Sequence, residues 1–264
     1  MVLSLEQFWH SPARQLLAYP SRDDSALTHR WQELQTYHLD AIYSYGPHPL
    51  AGLEILGLGY CGVVLKVRHQ GHDRVLKIRR EPAPQASLST EADRLIRANT
   101  VDVGQQHLAH SDYILLMDYI DGPMLVDWLQ QAPQTGPQGA EAIHKVVVQL
   151  IHQAYRLDQL ALDHGDLRCI TAHALVRSTG PVLIDFSGAS LDRRPANVTT
   201  LVQGLFISTQ ISQLLRPWFP KVTKPRLIKH LRCYKLHPSS SQMSLLLDYL
   251  ESTKVSYTAS NTAQ

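Results

Sequence analysis

The sequence predicts an α+β fold in which a β-rich part is followed by a helical part. Residues 53–78 have the apolar, β-branched texture of strands. Within them, the runs 63–67 and 74–78 flank a turn at residues 70–71, which indicates a hairpin. Helical periodicity dominates the second half of the chain, and residues 140–160 repeat apolar side chains on one face. That helix is expected to be central to the helical part.

These patterns divide the chain into four segments. We expect a helical N-terminal extension over residues 1–50 and the β-rich part over residues 51–122. The helical part follows over residues 123–253, and the polar residues 254–264 are expected to form a flexible tail.

Local signals mark several helix ends and one loop. Ser4 and Gln7 have the spacing of a capping box, which predicts a helix start. Residues 197–216 are predicted as one helix. Residues 130–139 contain two prolines and two glycines and are expected to form an exposed loop.

The composition is that of an ordinary globular protein. Of 264 residues, 44% are hydrophobic, and 25 Lys and Arg stand against 23 Asp and Glu, a net charge of +2. Nucleic-acid and anionic-membrane partners usually demand a concentrated basic surface, so this balance gives no strong signal for either. No run of about 18 apolar residues occurs, and no membrane span is expected.

The cysteines and the N-terminus favour a cytoplasmic location. Cys61, Cys169 and Cys233 lie far apart and show no Cys-x-x-Cys spacing, so free thiols in a reducing compartment are expected. Glu6 stands where an export signal would carry a basic start followed by an apolar run.

A glycine motif opens the first strand of the predicted hairpin. Gly57, Gly59 and Gly62 are spaced so that a backbone turn can approach phosphate oxygens. In a dinucleotide-binding fold this spacing opens a helix, whereas here a strand beginning at Val63 follows. We therefore favour a strand-loop-strand arrangement.

A lysine on the second strand and a glutamate on the next helix form the second feature. Lys77 lies between apolar strand neighbours, where an unpaired ammonium would cost several kcal/mol. Taken singly, Lys77 could be a solvated edge residue and Glu91 an exposed helix charge. Because the glycine motif precedes them, however, we expect the two side chains to pair and Lys77 to contact phosphates.

Two acidic motifs follow in the helical part. Residues 162–167 read Leu-Asp-His-Gly-Asp-Leu and contain Asp166, and residues 182–187 read Val-Leu-Ile-Asp-Phe-Ser and contain Asp185. Asp185 ends an apolar strand, where an ionised carboxylate needs a cation or several donors to offset its desolvation.

In order and spacing, these motifs resemble those of protein-kinase-like enzymes, most closely a RIO-like group of atypical serine/threonine kinases of archaea and bacteria. The resemblance covers about residues 53–207 and implies a two-lobed protein-kinase-like fold, with a β-rich N-lobe that binds nucleotide and a helical catalytic C-lobe. It implies ATP with Mg²⁺ or Mn²⁺ as cofactors. Asp166 would orient or deprotonate the acceptor hydroxyl, while Asp185 and His173 would hold the metal.

The same resemblance implies the nucleotide contacts. The glycine motif would cover the phosphates, and Lys77 with Glu91 would position them. Val63 would help line the apolar slot for the base. The strand and turn that follow would form the hinge that binds adenine, through Met117, Asp118, Tyr119 and Ile120.

The chain also departs from the pattern of common protein kinases. Thr171 stands where an asparagine binds the second metal, and Ser187 replaces a glycine. No Ala-Pro-Glu follows Asp185, so a full activation segment is not expected. Arg193 and Arg194 precede a predicted helix start and are either a phosphate site or a solvated basic turn.

Three functions stay open at this point. The first is phosphotransfer from ATP to a hydroxyl of a protein or a small molecule such as a sugar. The second is a pseudokinase that binds nucleotide without transferring phosphate, for which the changes at Thr171, His173 and Ser187 argue. The third is a RIO-type ATPase on a ribosomal particle, which would need a basic surface. The sequence does not specify the oligomeric state.

Overall fold

The computed structural model describes residues 1–21, 23–81, 87–131, 136–207 and 209–255. The fold is mixed α+β with an antiparallel sheet, which confirms the predicted class. The chain forms two compact units. The first contains Met1–Asn99 and Gln105–Tyr119, and the second contains Thr100–Gly104 and the chain from Ile120 onward.

The first unit contains nine strands in its described residues: β1 Val2–Leu3, β2 Ala41–Tyr43, β3 His48–Leu50, β4 Leu53–Ile55, β5 Gly57–Leu58, β6 Gly62–His69, β7 His72–Arg79, β8 His107–His110 and β9 Ile114–Asp118. Seven of them form an antiparallel sheet with the order β1-β2-β6-β7-β9-β8, in which β5 also pairs with β6. Strands β3 and β4 form a separate two-stranded sheet. Its helices are α1 Leu5–Trp9, α2 Asp24–Thr36, α3 Ser89–Asn99 and a 3-10 helix at Pro12–Ala18. The predicted hairpin is β6–β7.

The N-terminal segment is part of this unit and is not purely helical. Its strands β1 and β2 extend the sheet, with Ile42 opposite Val67 of β6. The capping box at Ser4 and Gln7 is confirmed at the start of α1. Apolar side chains from its helices, such as Phe8 and Leu16, share one core with strand residues of the sheet. Burial of this apolar surface attaches residues 1–50 to the sheet.

The second unit is mainly helical. Its elements are α4 Leu125–Gln131, α5 Pro137–Gln159, a 3-10 helix at Leu167–Ala172, β10 Ala174–Arg177, β11 Gly180–Leu183, α6 Asn197–Phe206, α7 Gln210–Leu215, α8 Lys224–Leu236 and α9 Ser240–Thr253. The apolar face predicted for the central helix α5 is buried, as at Leu150 and Ala154. The single helix predicted over residues 197–216 is instead two, because Thr209 and Ser212 form a capping box that starts α7.

Two predicted segments fall partly outside the described residues. Residues 132–135 of the predicted loop are not described, nor are residues 256–264 of the predicted tail. Among the helices that are described, none has the length and apolar content needed to cross a membrane.

Candidate functional site

The glycine motif forms the turn between β5 and β6. The backbone N–H of Gly59 donates to the carbonyl of Gly62 at 2.9 Å, which closes the turn. A Cβ on Gly62 would lie 3.0 Å from the carbonyl oxygen of Ile78 and 3.0 Å from Cγ of Lys77. Of the three motif glycines, Gly62 is therefore the one at which a side chain would crowd the neighbouring strand.

Lys77 of β7 and Glu91 of α3 form a buried ion pair. The Lys77 ammonium lies 2.7 Å from Glu91 Oε1 and 2.8 Å from Oε2. The two side chains are 7% and 3% exposed, respectively. A buried pair pays a large desolvation cost and adds little net stability, so its presence calls for a role other than holding the fold together.

The strand register corrects one predicted contact. In the antiparallel β6–β7 pair, Val64 lies opposite Lys77 and Val63 lies opposite Ile78. Side chains alternate between the two faces of a sheet, so Val64 shares the face of Lys77. Val63 is fully buried in the core on the other face. Val64 is therefore the valine that can contact a ligand held by Lys77, in place of Val63.

The predicted hinge residues differ in how many of their backbone groups are already hydrogen-bonded within the protein. Met117 shares the face of Lys77, because Lys77 pairs with Leu115 and Met117 lies two residues further along β9. The Asp118 carboxylate pairs with Arg74, and its carbonyl accepts a hydrogen bond of 2.8 Å from the Gln105 amide. A carbonyl oxygen can accept two hydrogen bonds, so the Asp118 carbonyl can still accept one more.

The next two hinge residues belong to different units. Tyr119 closes the first unit, with its ring 4.1 Å from the Lys66 ammonium. Ile120 opens the second unit, and within the described residues its backbone N–H and C=O make no hydrogen bond. A backbone donor and a backbone acceptor of one residue that are both open suit the edge of a planar base.

Asp166 lies in a loop that is fixed on both sides. Asp163 and Ser190 exchange backbone hydrogen bonds of 2.9 and 2.8 Å. The Asp166 carboxylate is half-buried and accepts no hydrogen bond from the part of the chain that the structure describes. A Cβ on Gly188 would lie 2.1 Å from Asp166 Oδ2, so that position must be glycine to leave the carboxylate its space.

Asp185 follows β11 in a strained conformation. Its φ is +66°, in the left-handed region, which costs on the order of 1 kcal/mol or more for a residue other than glycine. The N–H of Ser187 donates to Asp185 Oδ1 at 3.2 Å. Such strain persists where the surroundings impose it, and it concentrates at functional sites.

Two histidines lie beside these aspartates. His164 is fully buried, with its ring centre 5.8 Å from that of His173 and 4.8 Å from that of Phe186. Neither of its ring nitrogens makes a hydrogen bond of normal geometry to a described residue. Burial is the main cause that lowers the pKa of His164 to about 4, and electrostatic coupling to the neighbouring His173 lowers it further. His164 is therefore neutral at pH 7.

The lowered pKa of His164 predicts how the unfolding free energy of the protein changes with pH. Because His164 titrates near 4 when folded and near 6.5 when unfolded, protons favour the unfolded state as the pH falls from about 6.5 to 4. We expect His164 to account for a loss of about 2 kcal/mol in unfolding free energy between pH 7 and pH 4.5. Urea unfolding of the metal-free protein measures it.

The matched test compares His164→Phe with the exposed control His152→Gln. Between pH 7 and pH 4.5, the unfolding free energy of His164→Phe should fall by about 2 kcal/mol less than that of the wild type, because phenylalanine cannot bind a proton. The unfolding free energy of the control should fall as much as that of the wild type. If the pH dependence of His164→Phe equals that of the wild type, His164 does not titrate in this way.

A carboxylate that the sequence did not single out anchors the loop of Asp166. Asp158, near the end of α5, accepts from the N–H and the side-chain amide of Asn197, both at 2.8 Å, from the N–H of Val198 at 3.2 Å and from the Tyr234 hydroxyl at 2.9 Å. Burial raises the pKa of Asp158, against the effect of these four donors.

Asn197 transmits this anchoring to the loop. Its side-chain amide donates to the carbonyl of Leu162 at 2.7 Å, and its Oδ1 accepts from the N–H of His164 at 2.8 Å. Both partners flank Asp163 and lie within four residues of Asp166. Asn197 was not among the predicted site residues. A polar residue at the start of a predicted helix was the available signal.

The basic turn before α6 does not form the phosphate site considered from the sequence. Arg193 pairs with Asp163 at 2.7 Å, and Arg194 donates to the carbonyl of Lys235 at 2.8 Å. The first N–H groups of α6 are already bound by Asp158. Arg193 instead fixes the loop that carries Asp166.

The metal ligands stay a prediction. Within the described ranges there is no group of three or more His, Cys, Asp or Glu side chains that could hold a metal. Magnesium, however, is commonly bound by one or two carboxylates together with phosphate oxygens and water, so the carboxylate of Asp185 fits this ion. His173 has a buried Nδ1 without a hydrogen-bond partner in the described chain, and imidazole nitrogen suits the later transition metals better than Mg²⁺, which prefers oxygen ligands.

Comparison with known proteins adds no relative. No protein-family model matches the chain. No curated protein matches it either.

Proposed function

We propose that the protein is an ATP-dependent phosphotransferase with a two-lobed protein-kinase-like fold that transfers the γ-phosphate to a hydroxyl group. The observation that carries this proposal is the buried pair of Lys77 and Glu91 directly beside Gly62 of the glycine turn. In protein kinases, a strand lysine held by a helix glutamate contacts the phosphates, and a glycine-rich turn covers them.

The buried ion pair and the apolar residues on the same face of the sheet both agree with a nucleotide-binding role. Glu91 holds the ammonium of Lys77 in place at low exposure, so the cation is preorganised before an anion arrives. Val64 and Met117 provide apolar surface on the same face of the sheet for a base. These features lie within the first unit.

The second unit supplies the groups for transfer. Asp166 is a half-buried carboxylate without a protein hydrogen bond among the described residues, which suits a group that accepts the proton of a substrate hydroxyl. Asp185 is the carboxylate that would bind Mg²⁺ or Mn²⁺, and the ion would neutralise phosphate charge. His164, which is neutral at pH 7, packs against the ring of Phe186, the residue after Asp185.

We further propose a RIO-like serine/threonine kinase, with a protein hydroxyl as acceptor, acting in the cytoplasm. The motif order supports this assignment, and the three cysteines, which form no disulfide, suit a reducing compartment. A small-molecule or sugar acceptor, and a nucleotide-binding module without transfer, are the alternatives that an assay must separate.

Replacing Lys77 tests nucleotide binding. We expect the double variant Lys77→Met, Glu91→Gln to lose most of the ATP-induced stabilisation, because the ammonium that neutralises phosphate charge is gone. The double change avoids leaving Glu91 buried and unpaired. At 100 times the dissociation constant, ATP should stabilise the wild type by about 2.7 kcal/mol, a shift of several degrees in Tm.

Thermal unfolding with and without Mg-ATP measures each protein against its own nucleotide-free form. Lys145→Met, on the exposed surface of α5, is the control and should keep the full shift. An equal ATP-induced shift in the double variant and the control would remove Lys77 from the nucleotide site.

A further inference from the structure

The net charge of +2 hides a strong separation of charge along the chain. Residues 193–247 contain nine of the 25 Lys and Arg and none of the 23 Asp and Glu. The remainder therefore holds sixteen basic against 23 acidic residues. The composition gave no signal for a polyanion partner because these opposite charges cancel in the sum. The sum therefore does not show where the basic residues are concentrated.

Helix α8 displays much of this charge. Arg226, Lys229, Arg232 and Lys235 recur at every third residue, and all four are exposed. None forms an ion pair with any residue in the described ranges. With a rise of 1.5 Å per residue, the cations follow each other at about 4.5 Å along the axis. They form one oblique basic stripe on the outer side of the helix.

The N-terminal part of the stripe works against the stability of its own helix, whereas Lys235 in the last turn is favoured by the helix dipole. Lys224 and Arg226 lie in the first turn, where the helix dipole disfavours cations, and no acidic residue is present there. Like charges three residues apart also repel. The fold uses the opposite side of α8, where Leu227, Leu231 and Tyr234 are buried. The packing of α8 in the fold therefore does not explain why the residues of the stripe are basic.

We propose that the basic stripe of α8 binds the phosphate backbone of double-stranded nucleic acid. A duplex carries one negative charge per about 1.7 Å of its axis, which is the dense, regular array that closely spaced unpaired cations match. The stripe lies outside the residues assigned to phosphotransfer, so it stands independently of the proposed activity.

Two other polyanionic partners fit the surface less well. An interfacial membrane helix needs a free apolar face, and the apolar face of α8 is buried in the fold, which leaves Leu236 as its exposed large apolar side chain. Single strands are held by stacking on aromatic side chains. The one aromatic residue of α8, Tyr234, is 2% exposed.

Fluorescence anisotropy with the full chain and a labelled 30-base-pair DNA duplex of mixed sequence tests the proposal. We expect binding at 50 mM salt that weakens roughly 100-fold at 200 mM, since four phosphate contacts give a slope of about −3.6 in log K against log salt. Duplexes of different sequence should bind alike, because the contacts are to phosphate. A single strand of the same length should bind more weakly.

The variant Lys229→Glu, Arg232→Glu should lose at least tenfold in affinity and show a shallower salt slope. The control Arg14→Glu, Lys145→Glu makes the same change in net charge at exposed sites outside α8 and should bind nearly as the wild type does. Circular dichroism verifies that both variants are folded.

Several results would overturn the proposal. These are the absence of duplex binding at 50 mM salt, equal losses in the α8 variant and the control, and tighter binding of the single strand. Binding to vesicles with 30% anionic lipid, or to polyglutamate, without binding to the duplex would assign the stripe to a membrane or an acidic protein instead.

Discussion

Replacing Asp166 with asparagine is expected to abolish phosphotransfer while ATP binding is retained. In the proposed reaction the carboxylate acts on the acceptor hydroxyl, so its contribution would be realised in the transition state and not in the bound ground state. Loss of a general base of this kind lowers the rate by about 10²- to 10⁴-fold. The ATP-induced shift in Tm should match that of the wild type. The amide is nearly isosteric, so the space beside Gly188 stays filled.

The matched control is Asp192→Asn, an exposed aspartate a few residues beyond Asp185. It should retain both binding and transfer. Rates of phosphate transfer and Tm shifts with Mg-ATP are measured for both variants. A transfer rate for Asp166→Asn within threefold of the control would show that Asp166 is not the group that acts on the acceptor.

The largest loss of stability is expected for Asp158→Ala. The substitution leaves the N–H groups of Asn197 and Val198, the Asn197 amide and the Tyr234 hydroxyl without their acceptor. Each buried donor left unsatisfied costs about 1 kcal/mol or more, so we expect a loss of about 3–5 kcal/mol in unfolding free energy. Tm should fall by roughly 10 °C.

Urea and thermal unfolding measure this loss, with the exposed Asp248→Ala of α9 as the control, for which we expect a change below about 0.5 kcal/mol. Asp158→Asn should be intermediate, because an amide oxygen can still accept some of these hydrogen bonds. Should Asp158→Ala prove as stable as the control, the loop of Asp166 is held by other contacts.

Sequence reasoning predicted well where the signal was local. The hairpin followed from the apolar runs on both sides of a turn, and the pairing of Lys77 with Glu91 was expected because the glycine motif precedes them. The prediction for Val63 differs from the strand register by one residue. Side chains alternate along a strand, so an error of one residue exchanges the two faces of the sheet, and Val64 is the residue beside Lys77.

Contacts between distant residues could not be predicted in the same way. Asp158 and Asn197 are 39 residues apart, and nothing in either local pattern indicates that the carboxylate of one caps the helix of the other. The N-terminal strands were missed because β1 and β2 have two and three residues, too few to show alternation. Tertiary pairing with β6 determines β2.

The most direct test of the central claim is incubation of the purified protein with γ-labelled ATP and Mg²⁺ or Mn²⁺, with and without cell extract. We expect label in a hydroxyl acceptor with the wild type and no label with Asp166→Asn. Label in protein supports the serine/threonine kinase, and label in small metabolites supports a small-molecule kinase. Release of free phosphate alone, or ATP binding without any turnover, would contradict phosphotransfer.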